Sequence, residues 1–414
     1  MYIESIVIEN IRAIEKLKIT FPDVLAGWHV FIGDNGSGKS SLMKAISANL
    51  IGVQEINGIL PVWQEWLKKG KNHGLIEVNL TTKYPNRIIL ERNKNGIVLF
   101  SAVEPDESKN FFSAGYGPFR RLSGGDEKRN KITLSLPKAA AHLSIFGEEA
   151  SLTDALDWII ELDRKRIKEK YENQNVKNES QAIFDGLKNF INNSQLLPHN
   201  TTFENVDVDG NVLFTDGNKN QVSVLQLSDG YRSILSLMFD LIRQMLKIYG
   251  HEKVFENNNL DLPTINIEGI VLIDEVDAHL HPSWQAKIGA WFTTYFPNIQ
   301  FIVTTHSPLI CRASEKGSIW KLAAPNSSEK SKEITGVQKE RLIFGNILDA
   351  YGTEVFGAET SIKKEAAQQR NRLGELYEKS MMGLINDGED KEFTVLKQRM
   401  PTYQHKPKYN DTIS

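Results

Sequence analysis

Apolar and polar positions alternate from the start of the chain. Ile3, Ile6 and Ile8, then Leu17 and Ile19, with short polar breaks, predict a strand pair. The pair feeds the segment GWHVFIGDNGSGKSSLMKAI, beginning at Gly27, which reads as strand, glycine-rich turn and helix from about Lys39. A second β region follows, with Ile76, Val78 and Leu80 alternating, then Ile88–Leu90 and Ile97–Phe100 beside the turn residues Pro85-Asn86 and Asn95-Gly96. Between about 135 and 197 the period becomes helical. Leu156, Ile159, Ile160 and Leu162, then Ile183, Phe184, Leu187, Phe190 and Ile191, fit amphipathic helices, with the polar stretch Glu172–Ser180 turning between them. This stretch is too short for a long coiled coil.

Strands return at Val206–Val208 and Val212–Phe214, joined by Asp209-Gly210, a hairpin signal. Val222–Leu227, a helix over Tyr231–Lys247 and a polar loop at Asn257–Asn259 come next. The apolar runs Ile270–Ile273 and Phe301–Thr305 have the continuous character of buried strands. Beyond 355 the chain is helical and charged, and its last dozen residues read as loosely ordered. No internal repeat is visible. The pattern divides the chain into 1–134, a helical insertion at 135–200, a second β-containing part at 201–355, and a helical tail at 356–414.

Composition narrows the picture only modestly. The chain has 414 residues, 40% hydrophobic and 24% charged, the profile of a globular protein with room for a large core. A formal net charge of −3 gives no general reason to expect nucleic acid. The single cysteine, Cys311, excludes an intrachain disulfide. The N-terminus lacks a signal-peptide layout and no apolar run is long enough to span a bilayer, so the expectation is a cytoplasmic protein without a membrane span.

The chemistry is concentrated in a few short motifs. Gly33-Asp34-Asn35-Gly36-Ser37-Gly38-Lys39-Ser40 matches G-x-x-x-x-G-K-[ST], after an apolar strand and before a helix. Its glycines let backbone N–H groups turn inward around phosphates, and the helix start adds its positive dipole end. Lys39 would reach the β- and γ-phosphates and the Ser40 hydroxyl would ligate Mg²⁺, predicting ATP and Mg²⁺ as ligands. Asn35, Gly36, Ser37, Gly38 and Ser41 complete the expected phosphate-binding set. Further on, the apolar strand ending at Ile273 delivers Asp274 and Glu275, two carboxylates at the edge where open α/β sheets place ligands. Asp274 would hold the metal through water, and Glu275 would orient or deprotonate the attacking water. His306 follows the next strand and reads as a γ-phosphate sensor.

Leu227-Ser228-Asp229-Gly230-Tyr231-Arg232 precedes a helix, where Ser228 and the backbone at Gly230 can present donors to a phosphate. Leu122-Ser123-Gly124-Gly125-Asp126 is superficially similar but leads into Glu127–Asn130 without an apolar face. The segment at 228 runs into Ile234, Leu235, Leu237, Met238 and Leu241, so 227–232 is preferred and 122–126 is read as a loop. The basic run Arg164–Lys168 is interleaved with Glu161, Asp163 and Glu169, which favours a solvated helix face over a DNA contact. Arg120-Arg121 remains open between DNA, nucleotide and salt-bridge roles.

Taken in order, the P-loop, an LSxG-type signature, a strand ending in Asp-Glu and a switch histidine resemble the ABC ATPases. The start IESIVIENIRAIEKLKI, together with LSDGYRS and VLIDEVDAHLHP, is similar to the RecF/SMC-related AAA_21 group. The likeness covers roughly 1–50 and 221–315. It implies an α/β fold: an ABC-type ATPase head with a mixed sheet and an antiparallel β subdomain, carrying a helical insertion and a helical C-terminal tail. It also implies that Arg12 touches the nucleotide phosphates, that Asp277–Pro282 forms a D-loop, and that two copies share two ATP sites as a homodimer, with higher assemblies open. The D-loop placement is preferred to a metal site at His279-x-His281. Three features depart from the pattern: Asp229 stands where transporters have glycine, no Q-loop glutamine is found (Gln64 lies early and GYGPFRR at 115–121 has none), and the insertion is far shorter than SMC arms. Short-armed chains of this kind resemble the ATPases of antiphage defence systems of the Septu and retron-associated types, implying a separate nuclease or toxin effector, with DNA as a further candidate partner. A RecF-like repair ATPase is the alternative. An OLD-type nuclease fits less well, because the last hundred residues lack its strand and acidic patterns.

Overall fold

The computed structural model describes residues 1–59, 63–82, 84–103, 111–118, 136–147, 153–172, 179–257, 262–325, 327, 329–345, 372–373, 375–376, 379–380 and 385–399. In chain order the elements are β1 (Ile3–Ile11), β2 (Ile14–Thr20), β3 (Gly27–Ile32), α1 (Lys39–Ile51), α2 (Val53–Ile59), β4 (His73–Leu80), β5 (Asn86–Arg92), β6 (Val98–Val103) and β7 (Phe112–Tyr116). Then come α3 (Pro137–Phe146), α4 (Thr153–Glu172), α5 (Glu179–Asn193), β8 (Thr202–Val206), β9 (Val212–Thr215), β10 (Gln221–Ser223) and α6 (Asp229–Val254). β11 (Gly269–Ile273), α7 (Pro282–Tyr295), β12 (Ile299–Thr305), β13 (Ile319–Lys321), β14 (Lys332–Glu333), α8 (Gly336–Phe344) and α9 (Asp387–Arg399) complete the order. The chain divides into two compact units, Met1–Tyr351 and Gly352–Ser414.

The first unit is built on a six-stranded sheet in the order β14-β13-β3-β12-β11-β7. β13, β3, β12, β11 and β7 run parallel, and only the short β14 is antiparallel. Every residue of β3, β11 and β12 is buried, which explains their unbroken apolar runs. A five-stranded antiparallel sheet, order β2-β1-β4-β5-β6, lies across from it. Its strands alternate, with Ile6, Ile8, Ile76, Val78, Ile88 and Leu90 turned inward. Between the sheets runs α1, whose Leu42, Met43, Ala45, Ile46 and Ala48 join one core with Phe31, Ile270, Leu272 and Ile302. Gln300 pins the layers together: its side chain accepts from the Ile3 N–H (2.7 Å) and donates to the Ile3 carbonyl (2.9 Å). The mixed sheet, antiparallel layer and helical insertion match the expected α/β fold.

α3 packs Ala139, Leu143 and Ile145 into the main core, and the further helices expected between 135 and 200 are α4 and α5. At 20 residues, α4 extends only about 30 Å. In the basic run on α4, Arg164, Lys165 and Lys168 are exposed, with Lys165 3.8 Å from Glu169, whereas Arg166 packs inward, paired with Asp163 and lying over the Phe184 ring. A three-stranded sheet, order β10-β9-β8, follows it.

Here the structure corrects two expected strands. β8 ends at Val206 rather than 208, because the Asp207 carboxylate accepts from the N–H groups of Asp209 and Asn211 and closes the turn itself. The segment Val222–Leu227 keeps a strand only to Ser223, after which a capping box between Ser223 and Gln226 winds it into a 3₁₀ turn. The helix expected over Tyr231–Lys247 is longer at both ends and kinks at Gly250, whose φ is 73°. β7, β13 and β14 were not expected at all. The decoy loop 122–126, Arg120-Arg121 and Asn258-Asn259 lie outside the described residues, as do the middle of the 172–180 turn and most of the tail. No described helix is long and apolar enough to cross a membrane.

In the second unit the described residues are helical around α9. Leu373, Leu376 and Leu396 form a small cluster with Phe393 against it, and Arg372 pairs with Glu375, Glu389 and Glu392.

Candidate functional site

The parallel register brings the motif-bearing strand ends together. Ile32 of β3 stands beside Thr305 of β12, and Val303 beside Ile273 of β11. The chain therefore leaves β3 into Gly33, β11 into Asp274 and β12 into His306 at one edge of the sheet.

At the first of these exits, Gly36 and Gly38 take φ of 80° and 95°, which L side chains rarely adopt. A Cβ at Gly33 would come within 2.6 Å of Ser37 Oγ. Gly38 is the N-cap of α1, with no side-chain cap, so the first backbone N–H groups of α1, from Lys39, Ser40 and Ser41, face outward from the helix end. The Lys39 side chain is nearly buried and folds back over the loop, donating to the carbonyls of Gly33 (2.7 Å) and Asp34 (3.1 Å). Burial lowers its pKa, while Asp274, Glu275, Asp34 and Asp277 oppose that shift. Ser37 Oγ is buried without a hydrogen-bond partner among the described residues, and Asn35 is exposed at the tip. The β1–β2 turn packs against the loop: Ile14 and Ala13 lie 3.1 and 3.9 Å from where a Gly38 Cβ would sit. Arg12 occupies that turn with φ 49°, exposed, its guanidinium 5.7 Å from the Trp66 ring centre.

At the second exit, Asp274 is buried and its N–H donates to the Tyr116 carbonyl (2.8 Å) of β7. Glu275 holds a left-handed backbone, φ 47°. Asp277 accepts from Thr305 Oγ1 at 2.6 Å. His281 caps α7, its Nδ1 accepting from the Ser283 N–H, so one half of the His-x-His pair is engaged as a helix cap. No metal-holding cluster of three His, Cys, Asp or Glu occurs among the described residues. His306 is exposed between the end of β12 and a 3₁₀ turn begun by Ser307.

Ser228 is the N-cap of α6, again without a side-chain cap bond. A Cβ at Gly230 would lie 2.9 Å from the His279 carbonyl oxygen, so the 227–232 turn fits tightly against the 277–282 segment of its own chain. Asp229, the departure from the transporter pattern, has a 72% exposed side chain that pairs with Arg232. Gln64 is remote from this chemistry: it donates to the Gly96 carbonyl and accepts from the Val98 N–H, bracing β6.

Three buried contacts around the site were missed in reading the sequence. Tyr116 OH donates to Asp240 of α6 (3.1 Å), which also receives Arg243 and Gln244. His142 of α3 sits between Ser47 of α1 (2.8 Å) and Ser113 of β7 (3.0 Å). Thr304 bridges Asp274 and Glu275. Only the last had a signal, the Thr-Thr pair directly before His306.

Comparison with known proteins places the chain in a family. The AAA_21 family model ("AAA domain, putative AbiEii toxin, Type IV TA system") matches residues 68–312, and the AAA_15 model ("AAA ATPase domain") matches residues 1–116. "Septu protein PtuA" of Bacillus mycoides strain KBAB4 is 28% identical over 369 residues, covering 85% of this chain and 45% of that protein. "Retron Ec83 probable ATPase" of Escherichia coli is 41% identical over 126 residues, 30% of this chain and 21% of its own length. The matches thus span less than half of each relative. Among solved structures, an SMC head bound to the C-terminal winged-helix domain of ScpA aligns at TM-score 0.48 and 15% identity, over 82% of this chain and all of that one. With its model covering more than half of the sequence, the chain belongs to the AAA_21 family of AAA ATPase domains.

Proposed function

We propose that the chain binds ATP with Mg²⁺ at Gly33–Ser41, hydrolyses it in a site completed by a second copy, and uses the cycle to control a separate effector in antiviral defence. The observation that carries the ATPase reading is the convergence of the Gly33–Ser40 loop with Asp274-Glu275 at one sheet edge. A nucleotide phosphate suits this loop. Gly36 and Gly38 take the positive φ that bends the loop, the α1 N–H groups end there, and Ser37 Oγ is buried there without a partner among the described residues.

In this reading Lys39 turns from the Gly33 and Asp34 carbonyls to the β- and γ-phosphates, a short swing within the same loop. Asn35, Gly36, Ser37, Gly38 and Ser41 line the phosphates, with Arg12 reaching in from the β1–β2 turn. Ser40 and Asp274 offer a hydroxyl and a carboxylate, the oxygen donors Mg²⁺ prefers, and the ion would neutralise phosphate charge there. Glu275 orients or deprotonates the attacking water, and the exposed His306 contacts the γ-phosphate side. Ser228 and Gly230 act on the partner copy's nucleotide. That assignment rests on the resemblance and on an uncapped helix start at which Ser228 is exposed.

The defence role and the separate effector rest on the likeness to the Septu and retron relatives. Glu275→Gln with Mg-ATP, followed by light scattering on a sizing column, tests the shared site: the mass should double on adding ATP. Nucleotide binding without any change in mass would overturn it.

A further inference from the structure

We infer that Thr304, seconded by Thr305, is the positioning residue that sets the two carboxylates of the hydrolytic site. This rests on the ATPase reading above. Thr304 is the penultimate residue of β12, and its side chain is completely buried. Its hydroxyl donates to Asp274 Oδ1 and accepts from the Glu275 N–H at 2.8 Å. Its carbonyl accepts from the Val276 N–H at 3.0 Å. One residue therefore holds three consecutive positions of the turn after β11.

The chemistry of a hydroxyl makes this arrangement selective. It has a single proton, which is committed to Asp274, so the lone pairs are what receive the Glu275 amide. The Asp274 carboxylate is fixed in rotation by a bond to one oxygen. Glu275, a non-glycine residue at φ 47°, is held in a conformation its Cβ disfavours. The same hydroxyl thus orients the expected metal ligand and aims the side chain that must reach the water.

Thr305 repeats the device one residue on. Its hydroxyl donates to Asp277 Oδ1 at 2.6 Å and accepts from the Ser307 N–H at 2.9 Å. Adjacent strand positions project to opposite faces, so the 274–277 turn is held from both sides of β12. His306 lies between the two residues of that second bond. A movement of the 277–282 segment would reach the histidine through Asp277, Thr305 and Ser307 without passing through nucleotide.

Thr304→Val keeps the shape and removes the hydroxyl, while Thr304→Ser keeps the hydroxyl. With purified chain, Thr304→Val should lower kcat by about 10- to 100-fold, the scale of one hydrogen bond to a charged group. It should also raise the Mg²⁺ concentration needed for half-maximal rate, while a fluorescent ATP analogue without Mg²⁺ binds within about twofold of wild type. Thr304→Ser should recover most of kcat. In nucleotide-free protein, hydrogen exchange in the peptide holding Glu275 should be faster in Thr304→Val and near wild type in Thr304→Ser. If Thr304→Val does not purify folded, Thr304→Ala carries the same comparison. Wild-type kcat, Mg²⁺ dependence and exchange in the hydroxyl-free variant would overturn the proposal, as would a serine variant as impaired as the valine one. A wild-type chain that hydrolyses no ATP would refute the ATPase reading instead, and the exchange comparison would still decide whether Thr304 holds the turn.

Discussion

Acid should loosen the contact between the P-loop helix and the sheet edge, and His142 is the reason. The imidazole is wholly buried, bonded through Nδ1 to Ser47 of α1 and through Nε2 to Ser113 of β7. Burial, with Lys138 nearby, pushes its pKa down from 6.5 to about 3. In the unfolded chain the same group titrates near 6.5. Between those values the unfolded state binds the extra proton, so stability is complete above about pH 6.5 and is lost as pH falls toward 3. At pH 5 the loss is about 1.5 units at 1.36 kcal/mol each, or roughly 2 kcal/mol. His29, also buried and held between Ser318 Oγ and the Leu25 carbonyl, has its pKa lowered to about 4. It adds a similar roughly 2 kcal/mol at pH 5. Together these are a large share of the ~5–15 kcal/mol that domains typically possess. Urea midpoints across pH 4.5–7 for wild type and His142→Gln provide the assay. The variant has its own fixed cost at every pH, so the slope carries the information. Its stability should fall less steeply with acid, by about 1.4 kcal/mol per pH unit. Coincident slopes would refute the assignment of His142 as a neutral bridge.

Two further substitutions test the packing around the site. Tyr116→Phe removes the donor to Asp240 and leaves Arg243 and Gln244 on that carboxylate, and should cost about 1–3 kcal/mol in a urea titration; an unchanged midpoint would show that the contact contributes nothing. Gly230→Ala places a Cβ 2.9 Å from the His279 carbonyl, and that clash should outweigh the roughly 0.5–1 kcal/mol by which alanine favours a helix. A lowered melting temperature with weaker ATP-dependent pairing is expected, and a rise in melting temperature would contradict the tight fit.

The legible parts of this protein were those whose chemistry is local. The loop Gly33–Ser40 requires glycine at fixed places, and α1 begins at Lys39 as read from the sequence. β11 and β12 announced themselves as apolar runs because both of their faces are covered. β7 was missed because Phe112-Ser-Ala-Gly-Tyr116 mixes small and polar residues. Its glycine and serine serve a neighbour distant in sequence, since a Cβ at Gly115 would strike His142 Nδ1 at 2.6 Å and Ser113 bonds His142 Nε2 across 29 positions. The ends of β8 and β10 were misjudged because Asp207 and Ser223 bond their own following backbone and stop the strand. The Thr304 and Thr305 clamps join positions about 30 residues apart, and only the parallel register of β11 with β12 brings them together.

The central claim is that Gly33–Ser40 and Glu275 make one hydrolytic site. Phosphate release from Mg-ATP by wild type, Lys39→Ala and Glu275→Gln, measured beside equilibrium binding of a fluorescent ATP analogue, tests it most directly. The account predicts that Glu275→Gln loses at least ~100-fold in rate while binding the analogue within a few-fold, and that Lys39→Ala loses both binding and rate. Glu275→Gln hydrolysing ATP at the wild-type rate would contradict it.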